Sequence, residues 1–242
     1  MLFDVSELVR FWGITPKGVL HVGAHKAEEW PLYQAHSWTP IIWVEGQAEL
    51  AESLVNSLPK EENEIIQAYV WSASGVEKTF NVASNGQSSS LLEFGSHSIN
   101  YPEIKFQEAL NIRTKRLDEV LSGDSTFDFV NIDLQGVELE ALIGLGRYIQ
   151  QVKWIYTEVN RREVYIDCTN VIKLDRYLKS FGFSRVATRW CLGKGWGDAL
   201  YIQKGADQTQ FLWQKRKIQT AWYLKEFFGV VRVKLYNFFK RH

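Results

Sequence analysis

Methionine occurs once, cysteine twice and proline five times in the 242 residues of this chain. Cys168 and Cys191 stand far apart, without CxxC or Cys/His spacing, which argues against a disulfide framework or a zinc site and leaves them as ordinary thiols. No stretch approaches the ~18 apolar residues that a membrane span needs. Met1–Ile14 carries Asp4, Glu7 and Arg10 among its apolar residues, so it lacks the apolar core of a secretory signal, and a cytoplasmic protein is expected. Net charge is also missing, at +0, which removes the global electrostatic case for a nucleic-acid partner. There is no G-x-G-x-x-G phosphate loop either, because Gly23 stands without the second and third glycines.

What is present is a 45% hydrophobic composition, enough for one sizeable core. Charge is unevenly placed. Eight Lys/Arg against one acid, Glu226, make the segment from Gln208 to His242 +7, so the rest of the chain is −7. The same segment carries nine aromatic residues, Phe211 and Trp222 among them. The chain therefore divides into a folded domain, 1–205, and a basic, aromatic-rich helical tail, 206–242. Two readings of the tail stand: a helix packed on the body or on a second copy in a homodimer, or an amphipathic helix touching anionic lipid peripherally.

Along the domain, short apolar runs alternate with helical patterns. Strands are expected at Gly18–Gly23, Pro40–Glu45, Glu64–Trp71, Phe127–Asp133 and Trp154–Val159, with Lys78–Val82 as an edge strand or hairpin. Helices are expected within His25–His36, at Ala48–Leu58, Val137–Leu145 and Val171–Phe181. Turn-forming residues fill Ser84–Asn111, which reads as one long loop, and long loops inside compact domains are often functional. Phe183–Trp190 and Asp198–Gln203 read as a closing antiparallel pair. The alternation predicts an α/β domain with a mainly parallel sheet covered on both faces and an antiparallel edge hairpin.

Ligands of such sheets sit beyond the carboxyl ends of the strands. The first strand ends Gly23-Ala24-His25, where small residues let backbone approach a ligand. The second ends Glu45-Gly46, placing an acid where it can accept from both hydroxyls of a ribose. The later strands end Asp133-Leu134-Gln135-Gly136 and Glu158-Val159-Asn160-Arg161. Each has a plainer role open to it: Gly23 in a turn, Glu45 and Asp133 as helix caps, and Glu138 as an acid favoured by the first turn of a helix.

Several segments resemble the FkbM family of methyltransferases. NIDLQGVELEALIGL, Asn131–Leu145, is similar to its D-x-Q-G-x-E-x-x-x-L hallmark; HVGAHKAEEW and IIWVEG resemble its cofactor loop and acidic second motif. TKRLDEVL, IYTEVN, NGQSSSLLEF and GWGDALYI fit as well, so the resemblance runs from about Gly18 to Gln203. It implies a Rossmann-like class I methyltransferase fold with a seven-stranded sheet, and S-adenosylmethionine as cofactor. Gly23, Ala24 and His25 would line the methionine end, Glu45 and Gly46 the ribose, and Tyr69, Trp71 and Ser72 the adenine. Asp133 and Gln135 would face the methyl donor. Two positions depart from the family pattern: His21 replaces an acid that helps recognise the cofactor's ammonium group, and Ala27 replaces a glycine.

The activity implied is O-methylation of a sugar, glycoconjugate or related natural product. Removing the proton of a hydroxyl calls for a base, and the candidates are Asp133, Glu138 and Glu158, with His97 in the loop. Ser88, Ser89 and Ser90 are expected to close over the acceptor, with Asn160, Trp196 and Asp198 as further acceptor contacts. No residue pattern demands a metal. Two rivals remain: a non-catalytic binding scaffold, supported by His21, and a nicotinamide-dependent enzyme, since Glu45 could hold that ribose equally.

Overall fold

The computed structural model describes residues 1–206; the tail, and the helix expected in it, lie outside the described residues. The strands are β1 (Val19–Val22), β2 (Ile41–Glu45), β3 (Asn63–Gln67), β4 (Glu77–Ala83), β5 (Phe106–Arg113), β6 (Phe129–Ile132), β7 (Trp154–Asn160), β8 (Phe183–Trp190) and β9 (Trp196–Gln203). Seven of them form one sheet in the order β3-β2-β1-β6-β7-β9-β8. The first five strands of that order run parallel, and the β8–β9 hairpin adds antiparallel to β7. This is the mainly parallel sheet with an antiparallel edge hairpin that the strand pattern predicts.

Strands buried on both faces need apolar residues at every position. Leu20, Val22, Ile42 and Val44 point to one face, where they meet α5 (Leu117–Val120), α6 (Glu138–Gly144) and α7 (Val171–Ser180). Val19, Ile41 and Trp43 point to the other. There they pack with α1 (Val5–Trp12), Tyr33 of α2 (Trp30–Ala35) and Leu54 of α3 (Ala48–Ser57). The first helix is set by a capping box: Asp4 accepts from Ser6 N, and Glu7 reaches back to Asp4 N at 3.0 Å.

Three expectations change. The helix sought within His25–His36 begins only at Trp30, because His25 and Ala27 take positive φ, 47° and 54°. The third strand stops at Gln67, after which Val70 bridges to Lys115. Ser84–Asn111 is not one long loop: it contains the short helix α4 (His97–Asn100) and most of β5, which pairs antiparallel with β4 in a separate two-stranded ladder. β4 stands where the Lys78–Val82 strand is expected, while β5 (FQEALNIR) alternates only over Leu110–Arg113, too short a run to reveal it.

Gly144 illustrates how closely α6 approaches its neighbour. A Cβ there would strike the carbonyl of Trp71. Glycine to alanine inside a helix ordinarily gains about 1 kcal/mol. Here Gly144→Ala is expected to destabilise instead, by about 1–3 kcal/mol, seen as a lower urea midpoint at unchanged slope; an unchanged or higher midpoint would refute the tight contact.

Candidate active site

A cavity of about 520 Å³ opens at the carboxyl ends of β1, β2, β6 and β7. It lies where the chain order reverses, with β2 on one side of β1 and β6 on the other, the usual ligand position in such sheets.

Gly23 forms the tight floor. Its φ is +89°, and a Cβ would run into the Asp133 carbonyl, so the chain after β6 packs this closely on the end of β1 only because the residue is glycine. The chain then turns through Ala24 and His25. Glu45, buried at the end of β2, accepts from His25 N at 2.7 Å and from Gln47 N at 2.8 Å. Burial raises its carboxyl, opposed by these N–H donors. Gly46 lies against the Tyr69 ring, where a Cβ would come within 2.7 Å. Gly23, Ala24, His25, Glu45, Gly46 and Tyr69 thus share one end of the cavity.

Gln135 organises the other end. At φ +54° it aims its amide inward, and Nε2 donates to Asp133 Oδ1 at 2.5 Å and to Glu158 Oε2 at 3.2 Å. Tyr165 OH donates to Gln135 Oε1 at 2.6 Å and also lies 3.2 Å from the Ser88 carbonyl. Asp198 accepts from Leu2 N at 2.5 Å and from Tyr156 OH. Trp196 Nε1 donates to Tyr101 OH at 3.3 Å, so two aromatic rings and the carboxylates wall this half together.

Other candidates stand elsewhere. Trp71 and Ser72 do not line the cavity: Lys78 Nζ sits 3.8 Å from the Trp71 ring, and the Ser72 carbonyl accepts from Arg116 at 2.5 Å. They fall outside because β3 ends early and the chain has turned away. Asn160 is buried behind the cavity and donates to Glu158 Oε1 at 3.3 Å. Glu138 lies beneath the Leu134–Gly136 turn, where one oxygen accepts from Gly136 N at 2.8 Å and Leu134 N at 3.2 Å. It braces the turn and does not reach the cavity. Ser88 and Ser89 line the cavity, whereas Ser90 ties its hydroxyl to the Gln135 carbonyl at 2.8 Å.

His97, a candidate base in the sequence, stands on the short helix α4. It is buried, stacks 4.3 Å from Phe94, and meets Ser88 Oγ at 3.1 Å, with its side chain on the cavity wall. His21 is also buried, stacked 4.8 Å from Trp43, and burial lowers its pKa, so it is neutral at pH 7. The sequence reading missed Tyr165 and Tyr101, which no motif marks, and Glu29 and Tyr156, which lie inside the HVGAHKAEEW and IYTEVN segments but are not singled out.

The Asp, Glu, Lys and Arg side chains of the cavity wall are all acids, with the Met1 amino group beside Glu29 as a positive charge. Glu28, Glu29, Glu45, Asp133, Glu158 and Asp198 line it, and no Lys or Arg does among the described residues. Nor do the described residues hold a group of three or more His, Cys, Asp or Glu placed to bind a metal ion. S-adenosylmethionine, implied by the family resemblance, fits this donor set. Its ribose hydroxyls suit Glu45, and its ammonium and sulfonium suit the carboxylates. Glu29 and Asp133 beside His21 supply the negative charge that His21 lacks.

Clustered carboxylates make stability fall as pH rises. Burial pushes Glu138 from its ordinary 4.5 up to about 7, and Asp198 from 3.8 up to about 6. The folded state therefore holds protons that the unfolded state has already lost. The stability these two groups contribute is fully present below about pH 4 and is lost progressively up to about pH 7. The unfolding free energy from urea titration is expected to drop between pH 5 and pH 8, by on the order of 1–3 kcal/mol. Glu138→Gln, whose Oε1 can still accept from both backbone donors, is expected to flatten the profile; an equally steep profile in that variant contradicts the assignment.

Comparison with known proteins agrees with the sequence resemblance. The model of the methyltransferase FkbM domain matches residues 21–185. A curated relative, the 2-O-methyltransferase NoeI of Sinorhizobium fredii, is 29% identical over 80 residues, and the match spans 32% of this chain and only 33% of that protein. Among solved structures, the magnesium protoporphyrin IX methyltransferase of Synechocystis PCC 6803 superposes with a TM-score of 0.47 at 11% identity, over 83% of this chain and 76% of that one. A SAM-dependent methyltransferase from Aquifex aeolicus gives 0.47 at 13% identity, over 84% and 91%. With the hallmark DLQGVE shaping the turn that presents Asp133 and Gln135, and the family's model matching more than half its length, this chain belongs to the FkbM methyltransferase domain family.

Proposed function

We propose that the protein is an S-adenosylmethionine-dependent O-methyltransferase acting on a neutral hydroxyl acceptor, a sugar or glycoconjugate. One observation carries the reading: a cavity lined by six carboxylates and, among the described residues, no Lys or Arg. Such a wall favours a cationic cofactor and opposes the pyrophosphate of a nicotinamide dinucleotide. It opposes a phosphate-bearing acceptor in the same way, which supports a partner other than nucleic acid. A scaffold with no ligand would gain nothing from keeping like charges buried together.

When bound, the cofactor supplies a methyl group made electrophilic by its sulfonium. The chain's own residues do the rest. Glu45 accepts from the ribose hydroxyls and, through His25 N, fixes the loop beside them. Gln135 holds the Asp133 and Glu158 carboxylates in place. Trp196 and Tyr101 offer aromatic faces suited to the apolar face of a sugar ring. Glu158 is the base for the acceptor proton. Alignment and proton removal are the two contributions such a displacement needs. The name of the NoeI relative, a 2-O-methyltransferase, supports oxygen as the atom methylated.

Calorimetric titration of the purified protein with S-adenosylhomocysteine tests the cofactor reading. Micromolar binding is expected, and Glu45→Ala is expected to weaken it about 10- to 100-fold, the loss of hydrogen bonds to a charged group. Unchanged affinity in Glu45→Ala would displace the ribose site. Methyl transfer from radiolabelled cofactor onto a panel of neutral sugars, but not onto RNA, tests the acceptor class; labelling of RNA alone would sink it.

A further inference from the structure

Asp133, Glu158 and Asp198 stand at the ends of three adjacent strands, and Glu158 pairs directly with Asp198 across the β7–β9 ladder. Like charges in that register repel. Their hydrogen-bond donors are all uncharged: the Gln135 amide, the Asn160 amide, the Tyr156 hydroxyl and the Leu2 backbone. Tyr165 donates to Gln135 Oε1, which fixes the amide so that its NH₂ faces the carboxylates.

The groups facing the cluster complete the picture. Glu138 approaches from the start of α6 and Glu29 from the loop before α2. His21 on β1 is neutral, and Tyr101 and Cys168 are uncharged. The Met1 amino group is the positive neighbour, and it sits 3.7 Å from Glu29. Arg161, beside β7, lies over the Trp190 ring, while Arg189 is engaged by Glu7 and the Leu2 carbonyl. Burial, together with the charges of Asp133, Glu138 and Asp198, holds the Glu158 proton well above the usual carboxylate range.

We propose that Glu158 is a base switched by the charge of the ligand: it keeps its proton when the cavity holds no cation, and releases it when a sulfonium enters. This rests on the methyl-donor reading above. The ionised carboxylate is then present only when there is a methyl group to transfer. In the transfer, the acceptor oxygen bonds to the methyl carbon. The carbon–sulfur bond breaks with its electron pair going to sulfur, and the hydroxyl proton passes to Glu158. Sulfonium and carboxylate charges vanish together, so the net charge of the site is the same before and after. The neutral product then faces a protonated cluster, and the next cation expels that proton.

The test uses S-adenosylmethionine and S-adenosylhomocysteine, which differ by the methyl group and the sulfonium charge. Each is titrated calorimetrically into the whole protein at pH 7 in buffers of different ionisation enthalpy, which reports protons released per ligand bound. S-adenosylmethionine is expected to release about one proton and S-adenosylhomocysteine far fewer. Glu158→Gln is expected to bind S-adenosylmethionine with most of that release gone. Equal counts for the two ligands overturn the switch, as does an undiminished release in Glu158→Gln. The wild-type comparison stands whatever the variant's stability. If neither ligand binds the folded protein, the methyl-donor reading fails and the switch with it; binding without a difference in protons defeats the switch alone.

Discussion

The site depends on four residues, Val19–Val22, hydrogen-bonded on both sides to strands running the same way. Because β1 is flanked by β2, which follows it in the chain, and by β6, which the chain reaches only after β5, the strand order reverses here and a crevice opens at its carboxyl end. The glycine that follows lets the Asp133 turn close against it. Glu45, Asp133 and Glu158 all take their positions from register with this strand or its neighbours. A slip of one residue would turn each of them to the other face of the sheet.

That dependence explains what the sequence makes legible. The continuous apolar runs of β1, β2 and β6 mark buried parallel strands, and the polar residues after them mark the crevice. Glu45, Gly23, Asp133 and Glu158 are found because strand ends can be read from where hydrophobicity stops. Trp71 and Ser72 are misplaced by the same logic: the apolar run from Ile65 continues past the last paired residue, Gln67. The alternation of Lys78–Val82 reveals β4, whereas its partner β5 hides among the turn-forming residues of Ser84–Asn111. Tyr165, which steers Gln135, is silent because its position results from the path of a loop. His97 is named among the candidate bases, but its burial in an aromatic cluster leaves no trace in local spacing.

The electrostatics of the crevice is only half legible in the chain: the −7 outside the tail and the acids ending three strands can be read, but not that the bases of the domain would stand away from them. Folding separates them, leaving six acids around the cavity and the described bases elsewhere: Arg113 on Glu77, Arg185 on Asp175, Lys153 on Asp128. Glu138, which reads equally as a helix-dipole acid or a base, becomes a brace under the turn that carries Asp133.

A domain that gathers buried carboxyl groups with only uncharged donors, so that some must keep their protons, is locally frustrated: these side chains favour a state other than the one the core imposes. A cationic ligand relieves that conflict and binds only the folded form, so it adds to the stability of the fold by mass action. The lifetime of the protein in a cell, set by how often it opens to proteases, then follows the supply of its own methyl donor.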